Sequence, residues 1–246
     1  MALNNYLDNS ELAERIFISN GQVVNTSFNH KFGATPAMSQ NQTGTVWDVN
    51  DTLYPWSALS TPLAVNIERN NVADDGFVVT VQGLDQDWNF QSEEITINGA
   101  DTTGVALWRR VNRAFITTGG ATNTGDIDIE AGGIGGTTIA RIQAGLGQTL
   151  MAVYTVPKNY TAFITKGVMT VQANADATGN MFIKYKNQDT FRIGHTFEVS
   201  GTGGPYLYDF TIPIKIPSMS DIDVRAKVRS NNARITAAFD MILVKK

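Results

Sequence analysis

The stretch Asp221-Ile-Asp-Val-Arg-Ala-Lys-Val-Arg229 alternates without a break: Ile222, Val224, Ala226 and Val228 are apolar, and the five residues around them are charged. Successive side chains of a strand point to opposite faces. The segment therefore reads as a strand with one face in a core and the other on water or a polar partner. A slip of one residue would bury five charges, so its register is fixed. Such a strand needs a sheet, and the rest of the chain offers one. Downstream of Gly147, Leu150, Ala152, Tyr154 and Val156 alternate with Met151, Val153 and Thr155, the pattern of a strand with one buried face. Pro157, unable to donate to a ladder, ends it. Lys158-Asn-Tyr160 turns the chain, and Thr161–Val171 is expected to run back as its partner.

Further strands are expected at Gln22–Phe32, Phe77–Val81, Glu94–Ile97, Trp108–Thr117, Asp126–Ile129 and Thr137–Ile142, and then at Met181–Lys186, Phe191–Val199, Tyr206–Ile216 and Ile235–Leu243. Short strands between Gly, Pro and Asn turn signals give an all-β chain of β-sandwich or jelly-roll type. Charged residues make up only 17 %, against about 25 % in ordinary domains. The exposed faces are left to Thr, Asn and Gln. The glycine-rich stretch from Thr117 to Gly147 marks a handover between modules. The expected division is an N-terminal docking segment at 1–21, a first β-module at 22–144 and a second β-sandwich module at 145–246. The one helix expected, Leu7–Phe17, takes Asn9 or Ser10 as its cap. Its apolar side (Leu7, Leu12, Ile16, Phe17) lies outside the strand pattern. A helix this short is marginal alone, and the stripe suggests docking onto a neighbouring subunit.

Composition removes several chemistries. The chain has no cysteine, hence no disulfide, thiolate zinc site or cysteine nucleophile. A net charge of −4 offers no electrostatic footprint for nucleic acid. No basic and apolar leader opens the chain, and no apolar run approaches the ~18 residues of a membrane helix. Three Asn-x-Ser/Thr sequons, at Asn25, Asn41 and Asn159, carry meaning only in a secreted protein. The expected setting is a cytoplasm, or else release by a route other than a signal peptide.

Each candidate for chemistry has a plainer reading. Asp85-Gln-Asp-Trp-Asn89 resembles the first half of a calcium loop, but Phe90 stands at the glycine position and Thr96 at that of the bidentate acid. It is read as an Asp/Asn-rich hairpin turn. Asp126, Asp128 and Glu130 share one strand face at a spacing of about 6.6–6.8 Å, within the range of glycosidase carboxylate pairs. Their flanks are glycine and threonine, and the face is read as solvated. His30 and His195 are the only histidines, and no nucleophile elbow accompanies either. Each is read as a strand residue with a satisfied ring. Gly132-Gly-Ile-Gly-Gly136 lacks the Lys-Ser/Thr of a phosphate loop. Trp47, Tyr54, Trp56, Trp88 and Trp108 are the side chains that a sugar-binding sandwich would use, although tryptophan in a sandwich more often fills the core. The expectation is no catalytic, cofactor-binding or metal-binding residue, and no enzyme.

Several stretches carry a resemblance: Asn29-His-Lys-Phe-Gly33, Thr45-Val-Trp47 with Leu53-Tyr-Pro-Trp56, Glu94-Ile-Thr-Ile-Asn-Gly99, Arg110-Val-Asn-Arg-Ala-Phe115, Gly147–Pro157, and Ile214-Lys-Ile-Pro217 with Ser220–Lys227. From about Phe17 to the C-terminus the chain resembles uncharacterised virion structural proteins of tailed phages that infect aquatic bacteria. The resemblance implies a virion component, released by lysis, with other virion proteins (major capsid or tail proteins) as partners and a homo-oligomeric state. A capsid decoration or cement protein is the favoured role, with a tail, neck or fibre position as its rival. A carbohydrate-binding module for host-surface recognition is the alternative of another class.

Overall fold

The structure, a computed structural model, describes residues 11–118, 122–172, 174–229 and 232–246, with side chains from Arg15 onward. Among the described residues it is all-β, built from small antiparallel sheets, apart from one helix, α1 (Glu11–Ser19), and a single 3-10 turn. The first sheet runs β1 (Thr26–Met38), β16 (Ala233–Lys245), β11 (Tyr160–Val171), β14 (Tyr206–Ile216). A second has the order β10 (Val153–Thr155), β15 (Asp221–Val228), β12 (Asp176–Lys184), β13 (Arg192–Ser200), with β2 (Thr43–Thr45) also paired to β15. Next comes β6 (Asp101–Thr103), β3 (Val65–Arg69), β8 (Ile127–Ala131), β9 (Thr137–Ile142), and last β5 (Phe90–Thr96), β4 (Val78–Asp85), β7 (Trp108–Thr118).

Two buried clusters result. One joins the first two sheets, around Ile164, Met181, Phe197, Ile222, Val224, Ile235 and Phe239. The other joins the last two, around Val65, Ile67, Val79, Val81, Trp108, Ile127 and Ile139. The expected division at 144/145 is not the one the strands make. β1 pairs with β16 from Thr26↔Val244 to Met38↔Ala233, and β2 pairs with β15. Residues 26–46 thus belong with the C-terminal strands, and residues between Trp47 and Leu150 build most of the other cluster, the one around Val65 and Trp108, as an insertion. Backbone pairing over ten residues outweighs nearness in sequence.

The segment 149–157 also departs from expectation. It has no solvent face, because both sides are buried. Met151 and Val153 enter one cluster, while Ala152, Tyr154 and Val156 enter the other. Val46 and Trp47 divide in the same way. Two short segments are therefore shared by both cores, and the sheets group in a propeller-like arrangement instead of two clearly separate sandwiches. The expected hairpin of this segment with Thr161–Val171 does not form. β10 pairs with β15, and β11 pairs with β14 and β16. The chain still turns at Asn159 (φ 66°), but there it passes from one sheet to another.

Of the expected helix, Leu7, Asn9 and Ser10 lie outside the described residues, as do Ser230 and Asn231 of the last turn. α1 has a partner within the chain after all. It lies along β1, and a cavity of about 310 Å³ separates Ile16 and Ile18 from Phe28, Thr165 and Ile242 on the outer face of the first sheet. No helix among the described residues is long and apolar enough to cross a membrane.

Candidate functional site

β15 shows how the two cores are joined. Ile222, Val224, Ala226 and Val228 are buried as the alternation requires. The opposite face divides: Lys227 and Arg229 meet water, whereas Asp221 and Asp223 are buried against the other half of the molecule. Asp221 accepts two hydrogen bonds from the Arg110 guanidinium (2.9 and 3.0 Å) and one from the Thr155 hydroxyl (2.7 Å), with Lys184 Nζ at 3.2 Å. Asp223 accepts from the Thr45 hydroxyl (2.8 Å), Trp56 Nε1 (3.0 Å) and Arg225 Nε (2.8 Å). Burial still pushes the Asp223 carboxyl above its ordinary range, with Arg225 and these donors opposing the shift. The guanidinium of Arg110 lies over the rings of Trp56 and Trp88, and that of Arg225 over Phe182 and Phe191. A buried charge persists only when it is paired and hydrogen-bonded, and here each buried charge is.

Next to this seam lies a cleft of about 400 Å³, walled by strands of both units. β1 contributes Asn29 and Lys31, β4 and β5 contribute Gln82 and Gln91, β7 contributes Asn112 and Arg113, and the shared segment contributes Gln148, Thr149 and Tyr154. β1 can press against the shared segments because residue 33 is glycine. A Cβ built there would overlap the Val46 carbonyl and the Ala152 amide. That approach carries Lys31 inward, where it is buried and donates to the Asn112 carbonyl at 2.5 Å. Burial, helped by the like charge of Arg113 and opposed by Asp48, lowers its pKa to about 7. The Tyr154 hydroxyl is buried in the cleft wall without a hydrogen-bond partner among the described residues, and burial raises its pKa. Asp48, behind the seam, accepts from the Leu150 amide at 2.9 Å; burial outweighs this bond and raises its pKa to about 7.

The candidates singled out in the sequence fall elsewhere. Asp128 and Glu130 are buried, not solvated: Asp128 takes two bonds from Arg141 (2.6 and 2.8 Å), and Glu130 accepts from Asn66 Nδ2 and the Gly135 amide. Asp126 stays partly exposed beside Arg141. Asp85 sits in a hairpin turn, where one carboxylate oxygen accepts the amides of Asp87 (2.8 Å) and Asn89 (2.9 Å). The ring of His30 donates to Asp240 at 2.5 Å. His195 departs from expectation: its Nε2 has no partner among the described residues, and the ring packs among Phe197, Tyr208 and Phe210. Trp47, Tyr54 and Trp108 are buried in the core, and Trp56 and Trp88 are occupied at the seam. Lys31 and Tyr154 were missed as site residues. The signal available was a lysine alternating inward with the close-packing Gly33.

One surface stands out. The edge strands β13 and β14 lie side by side, and Ile193, Leu207, Tyr208 and Ile212 are exposed there, Ile212 at 86 %. Between Asp209 and Ile214 of β14 the pairing with β11 is interrupted, so Phe210–Pro213 bulges outward. Proline on an edge strand blocks indiscriminate strand addition.

No protein-family model matches the chain, and no curated protein matches it. Among solved structures, the Gx strain of infectious bursal disease virus is similar at 8% identity over 89% of this chain and 72% of that one, with a TM-score of 0.27. The VP2 subviral particle of the same virus is similar at 9% identity over 90% and 72%, with a TM-score of 0.24. TM-scores this low carry no argument for fold or function.

Proposed function

We propose that the chain is a structural protein of a virus particle, and more narrowly a head decoration protein of a tailed phage, built as two sandwich-like units locked at one seam. The observation that carries this reading is where the resembling stretches meet. Asn29–Gly33, Thr45–Trp47, Leu53–Trp56, Arg110–Phe115, Gly147–Pro157 and Ser220–Lys227 all contribute to the seam or its cleft; Glu94–Gly99 and Ile214–Pro217 lie apart, each against one core. The seam's carboxylates are held by Arg110, Arg225 and hydroxyl donors, the economy of a rigid scaffold. The rim of β13 and β14 is the surface that such a scaffold would turn to a neighbour, since contiguous exposed apolar side chains mark contact sites.

Purified particles give the test. Mass spectrometry and electron microscopy should find the chain in many copies on the head, and particles lacking it should lose integrity on heating. Ile212→Asp together with Leu207→Asp should leave the isolated protein folded and abolish its incorporation. Absence from particles would overturn the virion reading. A position on the tail or neck would keep that reading and overturn the decoration role.

A further inference from the structure

The cleft beside the seam holds more basic and donor groups than a structural joint needs. Its lining includes Lys31 and Arg113 but no Asp or Glu, in a chain whose net charge is −4. Two donors there have bonding capacity to spare. The Tyr154 hydroxyl is buried and unpartnered, although buried hydroxyls ordinarily find a partner. Lys31 carries three N–H groups and meets one carbonyl, that of Asn112. Around them stand the amides of Asn29, Gln82, Gln91 and Gln148, which both donate and accept. At about 400 Å³ the cleft is within the size range of small-molecule sites.

We propose that this cleft binds a hydroxylated carboxylate of the size of an acidic monosaccharide. Its carboxylate meets Lys31, Arg113 and the Tyr154 hydroxyl, and its hydroxyls meet the amide side chains. The walls are strands, and no helix N-terminus or glycine-rich turn of the kind that holds phosphate enters them. A carboxylate also resolves the electrostatics of Lys31, which now faces the like charge of Arg113 with only Asp48 in opposition. An anion in the cleft favours the ammonium form, so the ligand and a proton bind together. This site uses none of the core tryptophans, and it does not depend on where the protein sits in a particle.

The test is calorimetry of the full chain with glucuronate, glucose and glucose 6-phosphate at pH 8, in two buffers of different ionisation enthalpy. Glucuronate should bind at least tenfold more tightly than glucose and take up close to one proton. Tyr154→Phe removes the unpartnered hydroxyl without disturbing packing, so it should fold normally and lose about tenfold in glucuronate affinity. Arg113→Gln, at the exposed mouth, should weaken binding similarly, and Lys31→Met should remove both binding and proton uptake. Equal affinity for glucose and glucuronate, stronger binding of the phosphate ester, no binding at 10-millimolar order, or unchanged affinity in folded Tyr154→Phe and Arg113→Gln would each overturn the proposal.

Discussion

The pair Arg110–Asp221 is the most direct probe of how the two cores are held together. Both side chains are nearly excluded from solvent, with relative exposures of 8% and 2%. Removing one partner of a buried pair costs about 3–5 kcal/mol, because the other charge stays behind. The surroundings scale that figure differently for the two partners. In Arg110→Met, Asp221 keeps the Thr155 hydroxyl at 2.7 Å and Lys184 at 3.2 Å, so the loss should fall near the low end, about 3 kcal/mol. In Asp221→Leu, the guanidinium keeps only the Arg109 carbonyl at 2.7 Å and the rings of Trp56 and Trp88, and the loss should approach about 4–5 kcal/mol. The double variant removes both charges and should cost well under the sum, with a coupling of about 1–3 kcal/mol. A chain of this size loses about 2–4 °C of melting temperature per kcal/mol, so the single variants should melt roughly 6–20 °C lower. All four tryptophans lie in the buried core or at the seam, so their fluorescence under urea follows the transition directly. Additive losses, or single losses below about 1 kcal/mol, would mean that water screens the pair and that the seam is no joint.

Four further outcomes rest on the same geometry. Val224→Ala should cost about 1–3 kcal/mol through its cavity, and Arg225→Ala should cost as much, because it strips the buried Asp223 of its cation; urea midpoints compare the two. Gly33→Ala should destabilise by about 1–3 kcal/mol or more, since the new methyl meets backbone and not a movable side chain; a calorimetric melt equal to that of the parent would contradict the close approach. Between about pH 7 and the unfolded value of 10.5, unfolded Lys31 holds a proton that the folded form has released, so stability rises with pH through that window, and Lys31→Met should flatten the rise in urea midpoints. Asp48 acts in the opposite sense: from 3.8 to about 7 the folded form holds a proton that the unfolded form lacks, stability falls as pH rises, and Asp48→Asn should remove the fall.

The sequence by itself determined most of the strands, though not β2, β3 or β6, and the apolar side of those that alternate. The period-2 pattern of Asp221–Arg229 fixed Ile222, Val224, Ala226 and Val228 as core, because alternation is a local property of the extended backbone. It also placed the turn at Asn159 and the hairpin at Asp85, where left-handed φ angles and Asx bonding are written in residue type. What it could not determine was which strands pair, and hence what lies opposite a polar face. Asp128 and Glu130 read as solvent-facing, and Asp221 and Asp223 as facing either water or a polar partner, because charge alternation looks the same whether water or an arginine stands across from it. Only the meeting of Arg110 with Asp221, 111 residues apart, decides the matter. The burial of both faces at 149–157 was decided in the same way, by an inserted core packing where a lone sandwich would have had solvent. Lys31 shows the physical reason most plainly. Its inward direction follows from local alternation, but its lowered pKa is a sum over Arg113, Asp48 and a desolvating wall that only the folded chain brings together.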